Sequence, residues 1–404
     1  MIPASSERAL DGFRVLDLSR ILAGPYATML LGDQGADVIK VERPGTGDDT
    51  RRWGPPFEAG ISAYYLCCNR NKRSVTIDLK APEGLALVRR LLADCDVLVH
   101  NFLQCSMERL GLGYEQLAAE FPGLVYASIS AFGEDGPYAE RPGYDMVLQA
   151  VGGMMHITGE PLGQGGSPAK VGVAITDVLT GVHAAGAITT ALLHRERTGR
   201  GQKLDVALLD AQVAGLANIA SSWLVSGVEA RRWGTAHPSI VPYQVFDAAD
   251  RPIAVAAANE RMWGDLCRVL ERPEWIADER FSTNPARVEH RDVLLPLVQE
   301  RLTTRTCDDW LEPLTAAGIP CGPVNDMQHL FADPQVVARG LVETVEHPTL
   351  GALPQVRNPV RSSATPPAID RHPPLLGEHT AEVLGELLGV EREELGRLRD
   401  AGVV

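Results

Sequence analysis

At 404 residues, 45% of them hydrophobic, the chain is longer than a single hydrophobic core normally grows, so two domains are the expectation. A formal charge of -14 and a pI near 5.2 exclude nucleic acid as a main partner, because a phosphate backbone asks for a basic surface. Any polyanionic ligand must then meet a local basic cluster. Seven cysteines without a CxxC pair argue against a disulfide scaffold and a zinc site, and for buried free thiols in a reducing compartment. The segment MIPASSERALDGFRVLDLSR has neither the apolar core of a signal peptide nor the arginine density of a transit peptide. No apolar stretch of spanning length is free of charges, and a cytoplasmic protein is the expectation.

The first hundred residues alternate strand and helix signals. Arg14 to Leu18 reads as a short apolar strand, Gly24-Pro25 opens a helix, and Ala36 to Val41 is a second strand. Ser74 to Ile77, Asp96 to His100 and Leu124 to Ser130 follow as further strands, with a helix from about Pro82 to Leu92. Such alternation predicts a parallel sheet flanked by helices. From Tyr144 to Ser226 the pattern is mostly helical, broken by TGRGQ and a strand at Lys203 to Val206. The texture changes near Gly227. VPYQVFDAADRPIAVAAAN predicts two strands joined by a turn, and helices near 260–270, 287–303 and 307–317 predict a smaller α/β domain. Pro-rich connections and two short amphipathic helices end the chain. The domains expected are 1–226, 227–330 and a return over 331–404.

The common nucleotide motifs are missing. The first strand runs into SRILAGPYAT rather than GxGxxG, although Glu42 ends the second strand as a dinucleotide site would require. There is no GxxxxGK[ST], no GxSxG and no HExxH. No metal site is expected.

Two features remain. Basic residues cluster early in this acidic chain: Arg43, Arg51, Arg52, Arg70, Lys72, Arg73 and Lys80. That density suits a nucleotide or phosphate tail, against the alternative of a solvated face. Asp177, in ITDVLTG, is a carboxylate among apolar and small residues near a helix start. Taken alone it reads as a helix N-cap.

Nearly the whole chain resembles the class III CoA-transferase family. The resemblance is carried by LDLSRILAGPYATMLLGDQGADVIKVERPGTGDDTR, NRNKRSVTIDLK, VLVHNF, RPGYD, ITDVLTG, RTGRGQKLDVALLD, GTAHPSIVPY and PLLGEHT. RRWGTAHPSIVPYQ and MHITG look like the branch that moves CoA between succinyl-CoA and dicarboxylates such as glutarate or hydroxymethylglutarate. The resemblance implies an α/β fold: a large Rossmann-like domain with a parallel sheet built from both chain ends, a smaller α/β domain, and an interlocked homodimer. It also implies that Asp177 is a covalent nucleophile. CoA would lie against Leu22, Ala23, Arg43, Ile77, Asp78, Leu79, Lys80, Asn101, Phe102, Leu103 and Arg109, with Arg43, Lys80 and Arg109 on its phosphates. Acyl-CoA is then a substrate rather than a bound cofactor, and a small carboxylic acid is the acceptor.

The chemistry explains the carboxylate. Attack on a thioester gives an acyl-aspartyl anhydride and CoA thiolate, which attacks the aspartyl carbonyl to leave an aspartyl-CoA thioester. The acceptor acid reverses both steps, so no ATP is needed. Such intermediates require a dry site and oxyanion donors. The stretch Ala254 to Gly264 stands where some members carry a glycine-rich lid, with alanines in place of glycines.

The family also contains α-methylacyl-CoA racemases, whose histidine stands in a G-H-D segment. This chain has Gly143-Tyr144-Asp145, and a phenol of pKa near 10 is a poor base at neutral pH. Ser130 stands where oxalate-using members carry lysine, which points to a longer acid. Arg20, Tyr144, His156 and His237 are the candidate contacts for the acid substrate. A non-catalytic CoA or nucleotide sensor would keep the basic cluster but have no use for Asp177.

Overall fold

The computed structural model describes residues 8–161 and 165–404. The chain divides into two compact units, one of Met1–Met155, Lys170–Val228 and Arg339–Val404, the other of His156–Ala169 and Glu229–Ala338.

The first unit runs β1 (Arg14–Asp17), α1 (Ala23–Asp33), β2 (Asp37–Glu42), a two-residue hairpin β3 (Phe57–Glu58) and β4 (Ile61–Ser62), α2 (Ala63–Leu66), β5 (Lys72–Thr76), α3 (Pro82–Leu92), β6 (Val97–His100), α4 (Ser106–Arg109), α5 (Tyr114–Glu120), β7 (Val125–Ser130) and α6 (Asp145–Val151). After the short α7 (Met154–Ile157) come α8 (Ile175–Thr198), β8 (Lys203–Ala207), α9 (Leu208–Gly215) and α10 (Ala217–Ser226). Six strands form one sheet in the order β5-β2-β1-β6-β7-β8, parallel throughout. This is the doubly wound order, which reverses direction between β1 and β6. The inner strands β6 and β7 read as nearly continuous apolar runs because both of their faces are covered. On one face Leu16, Ile39, Leu98 and Tyr126 pack with helix α3 and with Val383, Leu395 and Val403 of the C-terminal tail. On the other, Val15, Val38, Val97 and Ala127 pack with α1 and α8.

Helix α8 has the length and hydropathy to cross a membrane, but one side of it is buried among its neighbours. It lies directly on α1. A Cβ at Gly181 would come within 2.8 Å of the Ala23 carbonyl and 3.1 Å of Tyr26, so only glycine lets the two backbones approach this closely. That contact fixes the first turns of α1 and α8 side by side.

The sheet takes all six strands from residues 14–207, so the expectation of a sheet built from both chain ends is corrected. The C-terminal segment joins this unit as helices α17 (Thr380–Leu388) and α18 (Arg392–Asp400), whose apolar residues recur at helical rather than strand spacing. Before them comes an antiparallel hairpin over Val342–His347 and Gly351–Val356, with Val342 opposite Val356. The sequence reading missed it, because its faces are largely exposed and Pro354 interrupts the strand signal.

Four members of the early basic cluster are also corrected, beginning with Arg51, which forks onto Glu42 at 2.7 and 2.8 Å and donates to the Tyr65 hydroxyl at 2.6 Å. Arg70 forks onto Asp33 at 2.7 and 2.9 Å and donates to the Val356 carbonyl, tying the hairpin to α1. Arg73 holds Asp37 and reaches Glu382 and Glu386 of α17. Lys72 is fully buried and donates to Asp17, Asn69 and the Pro25 carbonyl. These charges are consumed inside the protein, and spacing along the chain could not separate them from exposed ones.

In the second unit β9 (Tyr243–Asp247), β10 (Pro252–Ala256) and β11 (Cys321–Pro323) form an antiparallel sheet. Helices α11 (Glu260–Val269), α12 (Asn284–Glu289), α13 (Arg291–Leu302) and α14 (Cys307–Ala316) cover it, burying Trp263, Phe281 and Trp310. Two short helices, α15 (Met327–Ala332) and α16 (Pro334–Ala338), complete it.

Candidate active site

Parallel doubly wound sheets present ligand crevices at the carboxyl ends of their strands, where the strand order reverses. Here that point is the pair β1 and β6. A cavity of about 410 Å³ opens there, walled by Arg20 to Ala23 after β1, His100 to Cys105 after β6, Ser128 to Ala131 at the end of β7, Arg141 to Tyr144, and Asp177. A second, of about 370 Å³, is lined by Arg43, Ile77 to Lys80, Ser106 and Arg109 among others. Arg20 and Phe102 belong to both walls, so the two spaces adjoin.

The eleven residues that the resemblance gave to CoA divide between these walls. Leu22, Ala23, Asn101 and Leu103 face the first, Phe102 both, and Arg43, Ile77, Asp78, Leu79, Lys80 and Arg109 the second. Arg43 shares Asp49 with Arg20, at 2.7 and 2.9 Å. Arg109 donates to Ser106 Oγ at 3.0 Å. Asn101 exchanges two hydrogen bonds with the backbone of Arg20, clamping the β1 and β6 loops together.

The loop after β1 is held in a costly shape. Ile21 has φ of 73°, a conformation that a β-branched residue adopts only under strain. Its N–H donates to the Asp48 carboxylate, which also accepts from Lys40 Nζ at 2.9 Å; Lys40 in turn donates to the Ser19 carbonyl. Burial alone would raise the Asp48 pKa, but Lys40 and the Thr50 hydrogen bonds outweigh it and hold the group down to about 2. The charge is thereby kept where the loop needs it. Helix α1 then begins at Ala23 without a side-chain cap or an acidic residue in its first turn. Its first backbone donors lie beside Leu22 and Ala23, two residues of the cavity wall.

Asp177 is the third residue of α8, and the helix-cap reading is corrected. The N-cap is Ala174, and among the described residues the Asp177 carboxylate accepts no hydrogen bond. The capping is done by Asp145 of α6, whose Oδ1 accepts the Thr176 N–H at 2.8 Å. Asp177 is 9% exposed, and burial, followed by the nearby negative charge of Asp145, pushes its carboxyl up to about 7. Tyr64 packs beside Leu22, Ala174 and Val178, and its phenol is raised by burial and then by Asp177. A buried carboxylate without hydrogen-bond partners, at the wall of a cavity, is equipped to act as a nucleophile.

Among the substrate candidates, Arg20 and Tyr144 line the first cavity; Tyr144 is exposed and is the N-cap position of α6. His156 and His237 belong to the second unit. There His156 Nε2 lies 3.1 Å from the Ala230 carbonyl, and His237 Nδ1 accepts the Ser239 N–H at 3.0 Å. The stretch Ala254 to Gly264 is the end of β10 and the start of α11, whose first turn is capped by Asn259.

Sequence reasoning missed Asp145, Tyr64 and His100. Asp145 was in view only as the neighbour of Tyr144. His100 is buried at the cavity wall against Tyr126, and desolvation takes its pKa down to about 4. An isolated histidine at a strand end carries no sequence signal for that placement.

Residues 10–380 match CoA-transferase family III. The chain is 46% identical over 397 residues to the succinyl-CoA:glutarate CoA-transferase of Homo sapiens, covering 98% of this chain and 90% of that one. It is also 46% identical over 389 residues to the succinate–glutarate CoA-transferase of Agrobacterium fabrum, covering 95% and 96%. Among solved structures, a CaiB/BaiF family protein from Brucella suis matches with a TM-score of 0.85 and 45% identity, over 95% of this chain and 100% of that one. CoA-transferases of this kind act on CoA thioesters, and the chain belongs to CoA-transferase family III.

Proposed function

We propose that this CoA-transferase moves CoA from succinyl-CoA to a short dicarboxylate such as glutarate, with Asp177 as the acyl carrier. The observation that carries the reading is the Asp177 carboxylate itself: buried, without a hydrogen-bond partner among the described residues, and raised to about 7 at the wall of a cavity. The choice of acids is supported by relatives from human and Agrobacterium whose names specify succinyl or succinate and glutarate.

The nucleotide end of CoA occupies the second cavity, where Arg43, Lys80 and Arg109 meet its phosphates. Its pantetheine arm passes Phe102 and Arg20 into the first cavity and brings the thioester to Asp177. The Asp177 carboxylate attacks the thioester carbonyl, the C–S bond breaks, and CoA leaves as the thiolate. The thiolate attacks the aspartyl carbonyl of the anhydride, releases succinate and leaves an aspartyl-CoA thioester. Glutarate attacks that thioester, and the thiolate then takes the glutaryl group to regenerate Asp177. The uncapped start of α1 at Leu22 and Ala23 supplies backbone donors for the tetrahedral oxyanions. Racemisation has no comparable support, since Tyr144 stands in the G-H-D position and the named relatives are transferases.

We further read the protein as a homodimer. Helix α10 and the residues after it expose Trp223, Leu224, Val225 and Val228, the last three by 68–86%. An apolar surface of this kind marks an association face.

The test is to incubate the enzyme with succinyl-CoA and a panel of free acids and to follow new acyl-CoA esters by mass. Glutarate and its near relatives should give products. Transfer to monocarboxylates alone would overturn the dicarboxylate reading.

A further inference from the structure

We propose that Asp145 is a positioning residue of the reaction: it fixes Asp177 in the first turn of α8, and the negative charge of its carboxylate destabilises the free Asp177 carboxylate relative to the uncharged acylated form. The inference rests on Asp177 being the acyl carrier.

Asp145 is 8% exposed and begins α6. One of its oxygens accepts the Thr176 N–H at 2.8 Å, the other Gln149 Nε2 at 2.8 Å. Gln149 is oriented in turn by the Val171 N–H, which donates to its Oε1 at 2.8 Å. Thr176 Oγ1 donates to Gln212 Oε1 of α9 at 2.6 Å, and Thr180 Oγ1 donates to the Thr176 carbonyl. The residue immediately before Asp177 is therefore held from α6 and α9 at once. An ordinary helix would place a serine, threonine or aspartate at its own N-cap; α8 has Ala174 there and borrows a carboxylate from a different helix.

The borrowed cap has an electrostatic consequence. Two carboxylates now flank the start of α8: Asp145 with both oxygens hydrogen-bonded, and Asp177, at the cavity wall, with neither bonded among the described residues. Neighbouring like charges disfavour simultaneous ionisation, and the penalty falls on Asp177, which lacks the hydrogen bonds that stabilise the charge of Asp145. When Asp177 attacks the thioester, its electron pair forms the new C–O bond and the pair of the broken C–S bond leaves with sulfur. The negative charge moves from the Asp177 oxygen to the CoA sulfur, and Asp177 itself becomes neutral. The repulsion from Asp145 is thus present in the free enzyme and relieved in the anhydride.

The surrounding groups leave this interaction in place. Tyr64 of α2 packs with Ala174 and Val178 at the start of α8 and stays a phenol, and Tyr26 of α1 packs at Gly181 one turn along. From α9 the facing group is the uncharged Gln212, while Asp210 acts on Asp205. Across the cavity stand Arg20, committed to Asp49, and Arg141, stacked on Tyr138, with Tyr144, His100 and Glu134. Lys170 donates to the carbonyls of Val171 and Gly172, and His183 on α8 is exposed.

The experiment measures single-turnover release of CoA from succinyl-CoA across pH 5.5 to 9 for wild type, Asp145→Asn and Asp145→Glu, with hydroxylamine trapping to locate the acyl group. Thermal melts and CoA binding establish that each variant is folded. Removing the charge in Asp145→Asn should move the acid limb of acylation to lower pH by about one unit and reduce the plateau rate about tenfold. Asp145→Glu, which keeps the charge, should retain the wild-type limb, so the inference stays testable if Asp145→Asn fails to fold: a limb displaced in Asp145→Glu would contradict it. An Asp145→Asn enzyme with the wild-type limb and plateau overturns the role of Asp145 while leaving Asp177 as carrier. Absence of the acyl group from Asp177 in the wild type overturns both.

Discussion

At the scale of single residues, the site depends on carboxylates that are kept in different states by their surroundings. Asp177 carries a penalty for ionisation, and this has a signed effect on stability. Its folded pKa of about 7 lies above the ordinary value of 3.8, so between those values the folded state binds the extra proton and stability falls as pH rises. Above pH 7 the full cost is present, about 4 kcal/mol at most. Asp177→Asn should therefore be more stable than wild type at pH 8, with the advantage disappearing as the pH approaches 4. Equal melting differences at both pH values would contradict the raised carboxyl. Asp17 is the opposite case. Burial raises its pKa, but Lys72 and then Lys40 outweigh burial and hold it below the usual range. Replacing the fully buried Lys72 with Met removes one of these partners and should cost about 3–5 kcal/mol in denaturant unfolding. In the second cavity, Lys80→Ala and Arg109→Ala should each raise KM for succinyl-CoA about tenfold, as expected for one lost charge-assisted contact, without changing KM for glutarate.

At the scale of elements, the proposed mechanism makes catalysis depend on how closely α8 lies on α1. Substituting Val for Gly181 places a Cβ 2.8 Å from the Ala23 carbonyl and must force the helices apart. A stability loss of about 1–3 kcal/mol should accompany a fall in kcat larger than stability alone explains, because both Asp177 and the start of α1 move. A folded Gly181→Val enzyme with wild-type kcat would show that the helix contact is not what positions the nucleophile. The sequence made these elements legible for a physical reason. Buried parallel strands and the long small-residue helix have strong periodic signals, and β1, β2, β5 to β8 and α8 fall where those signals lie. What stayed hidden depends on partners distant in sequence. The capping of α8 by Asp145 spans 31 positions. The burial of Arg70 and Arg73 depends on Val356, Glu382 and Glu386, which no local pattern connects to them. Exposed Lys80 and buried Lys72 look alike in a sequence, and only the fold distinguishes a lysine at a cavity wall from an internal staple.

At the scale of the whole molecule, the apolar residues left exposed at α10 make a prediction about assembly. Asp in place of Leu224 and Val225, 75% and 86% exposed, should leave the folded chain intact and weaken self-association, read by sedimentation. Unchanged sedimentation would remove this face from the interface. During transfer the acyl group is proposed to reside on Asp177. This placement is tested most directly by mixing the enzyme with succinyl-CoA, quenching with hydroxylamine and mapping the modified peptide by mass. A hydroxamate should form on Asp177, and both hydroxamate and turnover should be lost in Asp177→Asn. Turnover that persists in Asp177→Asn, or that proceeds without modification of Asp177, would contradict the placement.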